Sequence, residues 1–175
     1  MAEIAPFVTS VDIRAPIGRV WEEITRSGMC RPMFGTVYKR DLKPGGAFRY
    51  SSADDKRTFV YGEIVEVEPP RKFVHTFRFT MKGDPPTLVT WTLEEKGSGM
   101  TRVTVRHEGF IGETLTKKRV TVGWTKILPL FKSTIEKGDV PAKTKLGQVL
   151  MGAMSFMLPK STLTSGLESK YQRVG

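Results

Sequence analysis

The fold is decided by residues 71–110, RKFVHTFRFTMKGDPPTLVTWTLEEKGSGMTRVTVRHEGF. Three runs rich in aromatic and β-branched residues follow one another here, separated by turn signals at 83–86 and 96–99. Short connections of this kind pair consecutive strands antiparallel, as a meander. The stretch therefore predicts three neighbouring antiparallel strands.

Alternation along these strands decides which side chains share a face of the sheet. One face carries most of the large apolar side chains and both histidines of the chain: Phe73, His75, Phe77, Phe79, Met81, Val89, Trp91, Leu93, Val103, Val105 and His107. Antiparallel sheets commonly bury one face and expose the other to water. The aromatic face therefore needs a cover.

Segments upstream extend the sheet. Residues 36–51, interrupted by the turn at 43–46, predict a hairpin with Phe48 and Tyr50 on one face. Residues 59–68 predict the strand that follows, and residues 6–14 are also rich in strand-forming residues.

Two short helices are expected between the first strand and the hairpin. In IGRVWEEIT (17–25) the apolar residues recur at helical spacing, at Ile17, Val20, Trp21 and Ile24. The second candidate, SGMCRPMFG (27–35), is punctuated by glycine and proline, so a loop is the alternative.

The cover for the aromatic face is predicted at residues 113–137. Its apolar residues form one helical stripe, made of Val120, Trp124, Ile127, Leu128, Phe131 and Ile135. Gly138 is a C-terminal stop signal. Pro129 removes a backbone donor, so the sequence predicts a helix bent near 125–129 or divided into two pieces.

We expect one domain at residues 1–138 and an extension at 139–175. The extension consists of a linker, a short amphipathic helix at 146–158 and a loose polar tail. The helix lacks the Lys/Arg face of interfacial helices, which favours packing on the domain, a protein partner or self-association over a membrane surface. It is too short for stable membrane insertion.

Charge and cysteine content narrow the function classes. The 175 residues include 28 Lys and Arg against 18 Asp and Glu, a formal charge of +10. The basic residues are scattered, which favours a solvated basic face over nucleic-acid binding. Cys30 is the single cysteine, and the N-terminus lacks the pattern of a signal peptide, so we expect a cytoplasmic protein.

Five phrases in order resemble one family. They are APIGRVWEEIT (15–25), DLKPGGAFRY (41–50), GEIVEVEPPRKFVHTFRF (62–79), LVTWTLEEKGSGMTRVTVRHEGF (88–110) and GWTKILPLFKSTIEKG (123–138). Together they span about residues 7–138 and are similar to the activator-of-heat-shock-protein-90-ATPase-homologue-like family of the START-like SRPBCC superfamily. The resemblance implies an α+β helix-grip fold: a curved antiparallel sheet wrapped around a C-terminal helix, with two short helices near the N-terminus.

The resemblance also implies a cavity between sheet and helix that admits hydrophobic ligands. We expect its lining to be mostly apolar with a few polar groups. The candidate ligand-binding residues are Trp21, Phe34, Phe48, Tyr50, Tyr61, Glu63, His75, Phe77, Trp91, His107, Trp124 and Leu128.

The polar candidates allow two interpretations each. His75 and His107 could act as general bases or donate to a bound carbonyl, but core histidines with satisfied nitrogens are the favoured alternative. Glu63 is either a polar anchor in the cavity or a residue on a face that opens to water.

The leading hypothesis is therefore the binding of a lipid, a polyketide-like molecule or another apolar metabolite. A cyclase or aromatase using the same cavity is the alternative, with His75, His107 or Glu63 moving protons, and a chaperone-regulating module is the third. We assign no catalytic residue, since no nucleophile elbow is present and Cys30 lacks a histidine nearby in sequence. Neither a phosphate-binding loop nor a zinc-ligand set occurs, so we expect no cofactor and no metal.

Overall fold

An eight-stranded antiparallel sheet forms the body of the protein. The computed structural model describes residues 4–81, 83–153 and 157–174. The strands are β1 (Phe7–Ile13), β2 (Gly28–Cys30), β3 (Thr36–Arg40), β4 (Ala47–Ser51), β5 (Thr58–Glu68), β6 (Lys72–Phe79), β7 (Thr87–Glu95) and β8 (Thr101–Glu108). Their order across the sheet is β1-β8-β7-β6-β5-β4-β3-β2, which confirms the predicted meander.

Within these described ranges, four α-helices accompany the sheet. They are α1 (Ile17–Thr25), α2 (Leu115–Lys137), α3 (Ala142–Ala153) and α4 (Ser169–Gln172), with short 3-10 helices at Lys160–Thr162 and Thr164–Gly166. The sheet curves around α2, and α1 lies beside it, so the predicted α+β class with a C-terminal helix held in a curved sheet is confirmed. We call the sheet face toward α2 the concave face and the opposite face the outer face.

The concave face carries the core, as the alternation predicts. Val89, Trp91, Val103 and Val105 are at most 1% exposed. Val120, Trp124, Ile127, Leu128 and Phe131 of α2 are buried against them. Burial of a large apolar side chain contributes about 1.5–3 kcal/mol, so this helix–sheet interface dominates the stability of the fold.

Local signals at both ends of α2 set its length. The Thr114 side chain accepts a hydrogen bond from the Lys117 backbone at 3.2 Å, and Gly138 closes the helix with φ 86°. The helix is continuous through Pro129, which rules out the predicted alternative of two pieces. Pro129 and Thr125 are exposed, so the carbonyl of Thr125, which proline leaves without its helical donor, faces water.

The second short helix expected at 27–35 is wrong. Residues 28–30 form β2 instead, paired with β3, and a turn follows. Gly28 has φ 107°, and Phe34 and Gly35 have φ 57° and 70° in the turn. These positive angles are incompatible with a right-handed helix.

The extension differs from expectation as well. Its helix, α3, begins at Ala142 and not at residue 146, and residues 154–156 of the predicted segment lie outside the described residues. The tail was expected to be loose, but residues 157–174 pack on the outer face of β4 and β5. Thr58 and Thr164 hydrogen-bond at 3.0 Å, and the Tyr61 and Tyr171 rings lie 4.8 Å apart, because polar and aromatic side chains on that face offer partners. The domain boundary at residue 138 stays a prediction.

Candidate ligand site on the concave face

Rings from the middle strands meet the rings of α2 at the centre of the concave face. The Trp91 ring stacks on Phe73 at 5.6 Å between centroids and meets the edges of Trp124 at 5.2 Å and Phe131 at 5.9 Å. Such distances are those of rings in contact. No bound molecule fits between these ring pairs, so the centre of the concave face is filled by its own side chains.

Nine of the predicted ligand-binding residues belong to this buried interior: Trp21, Phe48, Tyr50, His75, Phe77, Trp91, His107, Trp124 and Leu128. The alternation of the strands and the stripes of α1 and α2 bring them together. Whether they contact a ligand stays a prediction.

The other three predicted residues lie elsewhere. Phe34 is 41% exposed in the turn after β2. Tyr61 and Glu63 lie on the outer face, where Tyr171 donates to the Glu63 carboxylate at 3.1 Å and Lys170 forms an ion pair with it. Lys170 lowers the pKa of Glu63, so this carboxylate is a docking point for the tail. Alternation groups Tyr61 with Glu63 correctly but does not say which face is buried.

His75 has both ring nitrogens hydrogen-bonded. The Trp91 indole donates to Nε2 at 3.3 Å, and Nδ1 lies 2.9 Å from the carbonyl of Thr76, to which it donates in the neutral tautomer. Burial lowers the pKa of His75 to about 3, despite the favourable bond to Thr76, and the Arg40 charge lowers it further. His75 is therefore neutral near physiological pH.

His107 repeats this arrangement two strands away, on β8. The Trp124 indole donates to Nδ1 at 3.0 Å, and Nε2 lies 2.7 Å from the Thr87 hydroxyl, which itself donates to the carbonyl of Phe77. Burial lowers the pKa of His107 to about 3. With every nitrogen engaged, the two histidines have the bonding of satisfied core residues.

Arg40 is a polar residue of the concave face that sequence reasoning missed. It is 7% exposed on β3, opposite Phe48 of β4. Its guanidinium lies 4.4 Å from the centre of the Tyr38 ring, and Nη1 donates to the carbonyl of Ile24 at 3.2 Å. Nε and Nη2 are buried and have no hydrogen-bond partner among the described residues. This guanidinium therefore keeps free donors inside the protein.

Among the described residues, no carboxylate forms an ion pair with Arg40. Glu23 of α1 is buried, but it pairs with Arg26 at 3.2 Å. Tyr38 and Tyr50 stack at 4.2 Å between centroids, and burial raises the pKa of Tyr50 to about 12. Burial also raises the pKa of the Cys30 thiol to about 11, so Cys30 carries no charge near neutral pH. The tyrosine rings and the thiol beside Arg40 are thus neutral.

A second buried arginine is bonded more extensively, with only Nε lacking a partner among the described residues. Arg49, on β4 and 1% exposed, points to the outer face. It donates to Ser51 at 2.5 Å, forms an ion pair with Asp55 and reaches the carbonyl of Gln172 at 3.4 Å. Arg49 bonds to the tail, whereas the Arg40 guanidinium has a single hydrogen bond within the described part of the chain.

Two open clefts lie near the surface. One, of about 530 Å³, is bordered by β1 and the start of α2, including Phe7, Lys117 and Val122. The other, of about 460 Å³, is lined by the 41–47 hairpin and the tail, and its lining includes Arg40, Lys170 and Arg173. Arg40 therefore borders both the concave interior and a basic, solvent-open cleft. Within the described ranges, no group of His, Cys, Asp and Glu side chains has the arrangement of a metal site.

A curved antiparallel sheet closed over a long C-terminal helix defines a START-like helix-grip protein. Within that class the chain belongs to the family described as Activator of Hsp90 ATPase homolog 1-like protein, whose sequence pattern matches residues 14–136. The predicted family and the SRPBCC superfamily are thereby confirmed. A comparison with functionally curated proteins gave no match.

Solved structures share the fold. CalU16 from Micromonospora echinospora is 23% identical, with a TM-score of 0.63 over 87% of this chain and 86% of its own. PFC0360w, an HSP90 activator from Plasmodium falciparum, is 20% identical, with a TM-score of 0.62 over 74% of this chain and 94% of its own. The Aha1 dimer from Colwellia psychrerythraea is 13% identical, with a TM-score of 0.64 over 77% and 98%. At these identities the likeness concerns the fold alone.

Proposed function

We propose that this protein binds a small molecule that has an apolar body and an oxyanion head group, with the head held by Arg40. The observation that carries the proposal is the pair of buried, unpartnered guanidinium nitrogens. Buried polar atoms are nearly always hydrogen-bonded, and a buried charge without a partner costs several kcal/mol. A carboxylate that accepted from Nε and Nη2 would satisfy both donors in a bidentate pair.

The rings beside Arg40 suit the apolar part of such a molecule. Tyr38, Phe48 and Tyr50 are at most 5% exposed and lie on the same face as the guanidinium. Ligand sites combine a largely apolar lining with a few polar groups that fix orientation. Hydrophobic-ligand binding is also common in this superfamily, which supports the proposal from the fold.

Access to Arg40 requires local opening, because its nitrogens are covered. β2 is three residues long and forms one edge of the sheet, and the turn that follows it exposes Phe34. Short edge segments with few backbone bonds open at lower free energy than central strands. We therefore place the opening at β2 and the 31–35 turn, while Arg173 beside the neighbouring cleft attracts anions.

A titration of matched ligand pairs tests this function. Aromatic and aliphatic carboxylates are added to isotope-labelled protein, each beside its own methyl ester, and chemical shifts are followed. We expect carboxylates to shift the signals of Tyr38, Phe48 and Tyr50, with the esters at least tenfold weaker because they lose the charge-assisted bonds. Equal affinity of acid and ester, or shifts confined to the Lys117 cleft, would contradict the assignment.

The histidine bonding weighs against the cyclase or aromatase alternative. A general base needs a free lone pair and a pKa near the working pH. His75 and His107 have both nitrogens engaged and a pKa of about 3. The geometry therefore favours a protein that binds its ligand without proton transfer by these two histidines.

Chaperone regulation remains a separate hypothesis. It draws support from the family description and from the Plasmodium falciparum HSP90 activator of similar fold. A pull-down with purified chaperone tests it, and the absence of any retained complex would remove it. Self-association draws similar support from the Colwellia psychrerythraea dimer.

A further inference from the structure

One face of α3 lacks a partner in the described part of the chain. Leu146, Val149 and Leu150 of α3 follow i, i+3, i+4 spacing and are 63%, 68% and 58% exposed. We call these three residues the α3 apolar patch. Met157, shortly after the helix, is 68% exposed as well. Exposed apolar side chains grouped on one face indicate an interaction surface.

Other side chains of α3 contact the rest of the protein. Gln148 donates from Nε2 to the carbonyl of Arg31 at 2.7 Å, and Lys145 forms an ion pair with Asp139. These contacts fix the rotation of the helix about its axis. The α3 apolar patch is therefore directed away from the sheet.

Charge around the patch selects the kind of partner. Residues 146–158 contain no Asp, Glu, Lys or Arg, whereas Lys143 and Lys160, both exposed, flank the segment. The segment has no Lys/Arg face of its own, which is why the sequence favours a protein partner, but the fold leaves its apolar face uncovered between two exposed lysines. An anionic leaflet attracts such lysines. A second copy of this chain would bring a further net charge of +10 toward the same surface, which favours an anionic occupant over a second copy.

We propose that the α3 apolar patch and its flanking lysines adsorb the protein onto an anionic lipid surface. The helix lies in the interface and does not cross the bilayer, in agreement with the finding that no helix within the described residues is long and apolar enough to span one. This proposal is independent of ligand binding at Arg40 and stands or falls on its own.

Vesicle co-sedimentation of the full chain tests the proposal. Vesicles of phosphatidylcholine alone are compared with vesicles that also contain phosphatidylserine, at low and high salt. We expect binding to the mixed vesicles only, weakened by salt. The double variant Val149→Ser/Leu150→Ser should lose binding, whereas Val122→Ser, a matched apolar residue 54% exposed on α2, should retain it. Lys143→Gln and Lys160→Gln should each weaken binding about fivefold.

Three outcomes would overturn the proposal. The first is no binding to mixed vesicles by the wild type. The second is binding that the double variant retains in full, which would assign it to scattered basic residues. The third is a concentration-dependent dimer, seen by light scattering and removed by the double variant, which would make a second copy the occupant. Circular dichroism checks that each variant is folded.

Discussion

Replacing Arg40 by methionine should stabilise the free protein while removing its ligand binding. The change eliminates two buried donors without partners, each of which costs about 1–3 kcal/mol. It also loses the bond to the carbonyl of Ile24, about 1 kcal/mol, and the contact with the Tyr38 ring, about 0.5–2 kcal/mol. The balance favours the variant by about 1–2 kcal/mol, within the range seen when buried charges are replaced by apolar groups.

Thermal and urea unfolding measure this effect. For a chain of this size, about 1–2 kcal/mol raises Tm by roughly 2–8 °C. Arg49→Met is the matched control, because Arg49 is also buried but forms an ion pair and several hydrogen bonds, with Nε alone unpartnered. It should lose about 2–3 kcal/mol, near the low end for breaking a buried pair, since Asp55 is 37% exposed and keeps Lys39.

The reasoning is refuted if Arg40→Met destabilises the protein as much as Arg49→Met does. Arg40 would then be a structural residue whose bonding the protein already completes, and the proposed head-group site would lose its basis. A stabilised variant that binds carboxylates as tightly as the wild type would equally contradict the assignment.

Three further predictions concern the packing and the tail. Gly62→Ala should destabilise the fold by about 1–3 kcal/mol or more in urea unfolding, because its Cβ would lie 2.3 Å from the carbonyl of Thr76. His75 and His107 each have a pKa of about 3 in the folded protein, against 6.5 for the free side chain. Between these two pH values the unfolded chain therefore binds more protons than the folded protein does. Stability should therefore be complete above about pH 6.5 and fall as pH drops toward 3, by about 1.4 kcal/mol per pH unit for each histidine. Tyr171→Ala should lower stability by about 1–3 kcal/mol in thermal unfolding, since it removes a ring contact and a hydrogen bond of the tail.

Matched controls separate these effects from general damage. Gly147→Ala places its Cβ in open space on a helix and should be neutral or stabilising, so an equal loss in both glycine variants would contradict the steric argument. His107→Asn should remove about half of the acid dependence, and an unchanged pH profile would show that carboxylates cause it. A Tyr171→Ala protein as stable as the wild type would indicate that the tail is held by its other contacts.

Much of the fold follows from alternation and helical spacing. The strands at 71–110 and the stripe of α2 place Trp91, His107 and Trp124 together because both patterns respond directly to burial. The conformation of residues 27–35 was harder to predict, since their glycines permit several conformations and pairing with β3 decides among them. The order of the tail was not predicted, because its polar sequence does not indicate that Arg49 and Tyr61 on the sheet bind it.

The site was predictable only in part. Period two groups side chains but leaves open which group is buried. Tyr61 is therefore wrongly included in the predicted cavity, whereas for Glu63 the alternative of a face that opens to water is the correct one. Arg40 is not among the predicted site residues, because arginine side chains are usually exposed to water. Its signal was present nonetheless: Tyr38 and Arg40 alternate with the same period as Phe48 and Tyr50 on the next strand. Only coordinates reveal that its donors lack partners.

The Arg40 side chain itself offers the most direct test of the central claim. Its Nε–H signal in a nitrogen–proton correlation spectrum is assigned by its loss in Arg40→Met, and then followed during titration with a hydrophobic carboxylate. We predict a downfield shift and slower solvent exchange of this signal at saturation, as a charge-assisted bond forms. A signal that stays unchanged while the ligand binds would place the head group elsewhere and contradict the account.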